Sequence, residues 1–253
     1  MFYLIGQDYM SSSSRIIKAS FHPMGSSHVV ILMNGSLILI DISNPNGDTE
    51  FYPLGIKDHF VSYCFGPSID WMKFSIFLLS DKKSDKAEVF CLCPVIPKDI
   101  SVPKSSVRDL WAWIDEQVVF REEHNTSGEV YLERVRQYLT AAFGPRNILE
   151  KEDKIGKSAS SFVLSRGSLY TETEALLFAA PSLQGPFSIA ECGAENKNNW
   201  EVIPNKNDEK VKRKACDICT PRTRGEGAPL IAVSFDNGDV DFLVLGCEVG
   251  ETE

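Results

Sequence analysis

Short apolar runs separated by turn residues open the chain. Arg15–Phe21, His28–Met33 and Ser36–Ile42 are rich in aliphatic residues, the composition of strands buried on at least one face. His22-Pro23-Met24-Gly25-Ser26 breaks the first pair of runs and Asn34-Gly35 the second. Asn-Gly between two apolar runs predicts a tight hairpin, because both residues tolerate positive φ. The turn cluster Asn44-Pro45-Asn46-Gly47-Asp48 precedes Phe51-Tyr52-Pro53, which predicts a short outer strand ended by its proline. Phe60–Pro97 then carries three β-type runs: Phe60–Phe65, Phe74–Leu79 and Glu88–Cys93. Gly66-Pro67 and the charged Asp81–Lys86 stretch separate them.

The period changes after this block. Val107, Leu110, Trp111, Ile114 and Val118 recur at spacings of three and four, which predicts an amphipathic helix from Ser105 to Phe120 with Ser105 or Ser106 as its N-cap. A second helix is expected from about Glu129 to Phe143, with Tyr131, Val135, Tyr138, Leu139 and Ala142 on one face and Gly144-Pro145 as the stop. The short link His124–Gly128 makes the two an αα-hairpin. On the first helix Trp111 joins the apolar stripe, whereas Trp113, Gln117 and Phe120 lie on a flank. That flank is either an anchor for a partner or a second face packed onto the rest of the fold.

Strand signals resume at Ser161–Leu164, Ala175–Ala180, Phe187–Ala190, Ala215–Cys219, Leu230–Phe235 and Val240–Leu245. Asn237-Gly238 joins the last two as another hairpin. The polar stretches Glu150–Ser161 and Asn196–Lys214 read as surface loops. Hairpin-linked strands at roughly 40–45 residues per four-stranded unit are the rhythm of a β-propeller. The expected fold is therefore all-β: a partial β-propeller of four-stranded blades, one region over residues 1–253, with a helical insertion at 105–144. With the insertion set aside, the length suits only about four to five blades.

Composition narrows the function. Hydrophobic residues at 43% and charged residues at 24% are the balance of a globular domain with a sizeable core. A formal net charge of −9 argues against broad contact with a phosphate backbone, so no direct nucleic-acid role is expected. No apolar run reaches the length of a membrane span, and Gly6-Gln7-Asp8 stops the apolar Met1–Ile5 short of a signal sequence. No membrane insertion is expected. The 7 cysteines, an odd and scattered set, suit a reducing compartment, and Cys64, Cys91 and Cys93 sit inside strand-like runs as small hydrophobes.

Cys216-Asp217-Ile218-Cys219 is a CxxC, but zinc needs two more ligands, and a redox pair should open a helix where Thr220-Pro221 follows instead. It is read as structural. His22, His28, His59 and His124 fall at no ligand spacing. Lys210–Lys214 is basic but flanked by Asp208 and Glu209, the pattern of a solvated loop. No GxSxG, P-loop or GxGxxG occurs, so no catalytic residue, metal or cofactor is assigned, and the chain is not read as an enzyme.

Ordered patches of the chain resemble the nucleoporin-88 family, called nucleoporin-82 in fungi. Phe21-His22-Pro23-Met24-Gly25, then His28–Leu32 and Leu37–Ile42, resemble one of its blades. Phe65-Gly66, Trp71, Phe74 and Val89–Pro97 are similar to the next. Gln184-Gly185-Pro186-Phe187 resembles a phrase of the fungal members, and Pro229–Phe235 with Asn237-Gly238 a later blade. Members of that family are structural nucleoporins of the cytoplasmic face of the nuclear pore, with an N-terminal propeller followed by coiled coils.

The resemblance implies a non-enzymatic scaffold. Its propeller would dock other nucleoporins, of the peptide-tail and autoproteolytic-domain types, in support of messenger RNA export. The family's preceding blades are reduced here to Met1–Tyr9 and no heptads follow, so a partial chain is expected. A generic WD40-like adaptor is the alternative. Leu39-Ile40-Asp41-Ile42 is compatible with it, but recurring Gly-His and Trp-Asp dipeptides are absent. A propeller hydrolase would need acidic or nucleophilic side chains converging on the channel, and the sequence alone does not assign the channel wall.

Overall fold

In the computed structural model of the chain, the described residues are 15–24, 27–44, 49–54, 59–67, 70–81, 87–97, 100–124, 133, 136–137, 139–140, 161–164, 182–188, 214–221 and 230–244. The first apolar runs form an antiparallel meander: β1 (Ile16–Phe21), β2 (His28–Met33), β3 (Ser36–Asp41) and β4 (Glu50–Pro53), paired in that order. Met33 pairs with Ser36 across the Asn34-Gly35 turn, where Gly35 takes φ +74°. Only glycine and a few polar residues adopt that conformation without strain, so the local sequence fixes the hairpin. Pro53 closes β4 at the edge of the sheet, where a missing N–H costs nothing.

The next block builds most of a second sheet from β5 (Phe60–Phe65), β6 (Ile76–Ser80) and β7 (Glu88–Cys93). The middle strand begins two residues later than its pattern predicts. Phe74 belongs instead to a 3-10 turn, Asp70–Phe74, and the ladder resumes at Ser75, whose carbonyl takes the Gly66 N–H at 2.8 Å. The chain then leaves the sheet as β8 (Ile100–Pro103), α1 (Lys104–His124) and β9 (Ser161–Leu164), and β8 pairs with β9. It returns as β10 (Ser182–Ser188), which pairs with β7 and gives the sheet order β10-β7-β6-β5. The insertion is thus doubly bracketed, by β8–β9 and by β7–β10.

The helix is four residues longer at its C-terminal end than the periodicity indicates, and β8 precedes it without a sequence forecast. The predicted strand Phe187–Ala190 lies earlier, as β10, because its register is set by β7 and not by its own alternation. Of the second predicted helix, Glu133, Arg136, Gln137, Leu139 and Thr140 are described, and all are helical. The predicted strand Ala175–Ala180, most of the Glu150–Ser161 loop and nearly all of the Asn196–Lys214 loop lie outside the described residues.

A third sheet follows, β11 (Ala215–Cys219), β12 (Leu230–Phe235) and β13 (Val240–Val244), in that order. Gly238 at φ +89° makes the Asn237-Gly238 turn. The three sheets stack face to face, with the second in the middle. Because side chains alternate across a strand, β6 serves two cores at once. Leu78 and Ile76 join Leu32, Leu37, Leu39 and Tyr52 of the first sheet, whereas Leu79 and Phe77 join Ile218, Ile231, Val233 and Phe235 of the third. The run β6 is therefore apolar throughout, as a strand covered on both faces must be. The fold is an arc of a β-propeller with a helical insertion in its second blade.

Candidate functional site

The leading strands of the three sheets, β1, β5 and β11, lie side by side along what the fold makes a channel wall. Each sends one polar side chain to a common point. Lys18 Nζ donates to Ser62 Oγ at 2.9 Å and to Asp217 Oδ1 at 2.7 Å, and the Ser62 hydroxyl also donates to Asp217. The Ile218 amide donates to the same carboxylate at 2.9 Å. Partial burial pushes the Asp217 carboxyl upward, but hydrogen bonds from Lys18, Ser62 and the Ile218 amide, with the Lys18 charge, outweigh it and hold the group below the usual carboxylate range.

A serine, a lysine and an aspartate together invite a catalytic reading, and the hydrogen bonds count against it. A lysine that activates a serine must be neutral, whereas Lys18 is ion-paired at 2.7 Å. The Ser62 oxygen already faces the ammonium, and its proton already points at a carboxylate. The three groups satisfy one another and form a clip between blades. Because Lys18 and Asp217 keep 31% and 57% of their side-chain surface in solvent, the clip is weak. Asp217→Ala is expected to lower stability by about 1 kcal/mol in urea denaturation, and by less at high salt. A loss several times larger would show that the clip is a main fastening of the arc.

Stronger fastenings lie behind it. Tyr63 is buried, donates to the Val30 carbonyl at 2.7 Å and receives the Ser20 hydroxyl at 2.7 Å, so one β5 side chain ties both β1 and β2. Burial pushes its phenol up to about 12. His22, in the turn after β1, is buried against Phe65 with ring centroids 5.2 Å apart. Its Nδ1 accepts the Met24 N–H at 3.2 Å, which leaves the proton on Nε2, facing the Val95 carbonyl at 3.3 Å. Burial lowers its pKa to about 4; the Val95 bond opposes that and repulsion from His28 adds to it. At the same end of β5, Thr220 donates to the Phe65 carbonyl.

The cysteines behave as their surroundings require. Cys64, Cys91 and Cys93 are buried and free, and desolvation raises the thiols of Cys64 and Cys91 to about 12 and about 11. They are core residues, as their place in apolar runs suggests. Cys216 and Cys219 are exposed and free on β11, with Cys216 at an irregularity between Ala215 and Asp217. Among the described residues no cluster of His, Cys, Asp or Glu is arranged to hold a metal, and no helix is long and apolar enough to cross a membrane.

The helix places the flank predicted from sequence. Val107, Leu110, Trp111 and Ile114 are buried, and α1 packs on β8 and on the 3-10 turn. Trp111 Nε1 is buried without a hydrogen-bond partner. Trp113 and Gln117 are half-buried and Val119 is 52% exposed. The Phe120 backbone continues the helix, and its side chain lies outside the described residues. Lys18, Ser62 and Asp217 escape sequence reading because nothing local links positions separated by 44, 155 and 199 residues.

Strand order, a shared channel wall and an insertion at the second blade can be set against known structures. The chain matches a chain of the yeast heterotrimeric Nup82-Nup159-Nup116 nucleoporin complex with a TM-score of 0.58, 17% identity, 96% of this chain and 49% of that chain covered. Its fold is similar to that of Nup82. The Chaetomium thermophilum Nup82 NTD-Nup159 TAIL-Nup145N APD complex gives a TM-score of 0.62, 14% identity and coverage of 95% and 48%. The chain therefore spans about half the length of the solved chains it matches. No protein-family model and no curated protein sequence matches it.

Proposed function

We propose that the chain is a non-enzymatic scaffold nucleoporin, whose propeller docks partner nucleoporins at the cytoplasmic side of the nuclear pore and so supports messenger RNA export. The observation that carries this reading is the Nup82-like fold over 95–96% of the chain, in step with the sequence patches of the first three blades. The solved complexes contain Nup159 with Nup116 or with the Nup145N APD, which points to a peptide tail and an autoproteolytic-type domain as the partners. The absorbed hydrogen bonds of Lys18, Ser62 and Asp217 fit a role without catalysis.

The anchor we assign is the flank of α1, Trp113 and Gln117 with Phe120. A half-buried tryptophan on a helix presents a large apolar face that a partner can finish covering. The test is co-expression of the chain with a Nup159-type tail and a Nup116-type autoproteolytic domain from the same organism. Capture of at least one is expected, and Trp113→Ala should weaken that capture by about 10-fold or more while leaving far-UV circular dichroism unchanged. Capture of neither removes the scaffold reading. Capture that Trp113→Ala leaves intact moves the anchor elsewhere.

A further inference from the structure

The outer strands of the three stacked sheets are β4, β10 and β13, and the first two are guarded. β4 is short and carries Pro53. β10 is interrupted by the bulge at Gly185-Pro186. Both devices hinder a further strand from pairing. β13 has neither. It pairs with β12 along its whole length without a break in register, and no proline or lysine falls on it. Phe235 donates to the Asp239 carbonyl at 2.9 Å, and from there inward and outward backbone groups alternate. The N–H and C=O groups of Val240, Phe242 and Val244 therefore point away from β12.

Beside that edge lies a floor. The first and second sheets have four strands, and the third has three among the described residues. A fourth strand of the third sheet would lie over β10, the fourth of the second. Phe187 of β10 pairs with Val89, whose side chain fills the core toward the third sheet, so Phe187 points the same way. It is 42% exposed. Edge and floor make a slot one strand wide. On β13, Leu243 packs toward the second sheet, and Asp241, two residues earlier, faces the same side and is half-buried. The Lys214 amide donates to Asp236 at 2.9 Å and its ammonium pairs with Asp81 at 3.6 Å. Those contacts set the Asp241 end of β13 at the same end of the stack as Ser80, Glu88 and Ser188, hence near Phe187.

We infer that this slot receives one extended, basic segment of a partner protein, laid antiparallel to β13 as the fourth strand of the third sheet. Antiparallel is the sense of both pairings already made in that sheet. Backbone bonds to the edge give the affinity, and side chains at alternate positions give the choice. The register states that choice. The residue opposite Leu243 is apolar, and the residue opposite Asp241 is Lys or Arg. An inward charge bars a wholly apolar strand. A cation beside it offsets the water that the carboxylate loses when the strand covers it, and the cation can lie over the Phe187 ring. A second copy of the chain suits the slot poorly, because it brings a further formal charge of −9 and the same Asp236, Asp239 and Asp241. The slot is apart from the flank of α1 and does not depend on it.

The test is amide hydrogen exchange along β13 in the full chain, read by NMR with and without a peptide. One capped peptide is Ser-Thr-Val-Tyr-Lys-Thr-Ser, and the other has Glu in place of Lys. In the chain alone the Val240, Phe242 and Val244 amides should exchange fast, and those of Asp241 and Leu243, which face β12, slowly. With a dissociation constant of about 0.1 mM, the Lys peptide at ~1 mM should slow the three outward amides ~10-fold. The Glu peptide should leave them unchanged. Asp241→Lys should reverse the preference, which a folding defect cannot do. Phe242→Pro removes one outward N–H and no bond to β12, and should abolish the protection. If that variant fails to fold, the reversal by Asp241→Lys decides. Outward amides already slow in the chain alone overturn the inference: the slot is then filled by the chain itself or, where slowing grows with concentration, by a second copy. Absence of protection, or equal protection by both peptides, overturns it too.

Discussion

Gly66→Ala is expected to destabilise the protein by about 3 kcal/mol or more, a fall in the thermal midpoint of roughly 10 °C. A Cβ at this position would sit 2.1 Å from the Met72 carbonyl oxygen and 3.1 Å from its carbon, with the Phe77 ring at 3.3 Å. No backbone carbonyl can stand that close. The Met72 oxygen is also committed, since it accepts the Ser75 N–H at 2.9 Å, and Ser75 in turn holds the Gly66 N–H. Relieving the clash therefore means opening the joint between β5 and β6, the inner half of the middle sheet. Gly238→Ala is the control: its φ is +89° but nothing lies within 4 Å, so it should cost about 1 kcal/mol of conformational strain alone. Differential scanning calorimetry of the two variants separates crowding from strain. Equal shifts would mean that the 3-10 turn yields easily.

The second large effect is on acid stability. His22 has a folded pKa of about 4 against an ordinary value of 6.5. Between those values the unfolded chain binds the proton and the folded chain does not. Stability contributed by the neutral, buried ring is thus fully present above pH 6.5, declines as the pH falls, and is gone below about 4. The shift corresponds to about 3 kcal/mol across that window, near 1.4 kcal/mol per pH unit. Protonation would put a charge under Phe65 and cost the Nδ1 acceptor its bond from Met24. His22→Gln keeps a donor for the Val95 carbonyl and cannot titrate. Urea melts at pH 4.5 and 6.5 should show the difference shrinking by most of that amount in the variant. An unchanged difference would assign the acid sensitivity to the carboxylates.

What the sequence disclosed and what it hid divide by distance along the chain. Asn34-Gly35 and Asn237-Gly238 were legible as turns because positive φ is a property of those residues alone. The apolar stripe of α1 was legible because its period is local, and Val107, Leu110, Trp111 and Ile114 are buried as it requires. Local pattern starts β6 two residues early, because Phe74 looks like strand on any local scale although it belongs to the 3-10 turn. Only the bond between Gly66 and Ser75 shows where the ladder resumes. Residues 182–188 were harder still. Gln184 pairs with Cys91 and Phe187 with Val89, with Gly185 and Pro186 bulging opposite the single residue Phe90, so the strand takes its register from a partner far back in the chain. Trp113 and Gln117 are half-buried beside the main stripe of α1, a position its local period implies. Nothing local hints at the channel clip, whose members meet only once three sheets are stacked.

That returning strand changes how this blade can vary. Cys93 and Ser182 are paired neighbours, so the chain leaves the sheet and re-enters it one strand spacing away, about 5 Å. Beyond Val95 and Ile96, which are buried and belong to the stacked sheets' core, everything up to Ser182 is a cassette plugged into two adjacent sockets. The entropic cost of closing so long an excursion, compared with a tight turn, is roughly 3 kcal/mol, and doubling its length adds only about 0.6 kcal/mol. A helix, a hairpin or a far larger module can occupy these sockets while the stacked sheets stay as they are. Relatives with this arc can therefore differ most between β7 and β10, and a foreign binding module grafted there would be carried on a rigid mount.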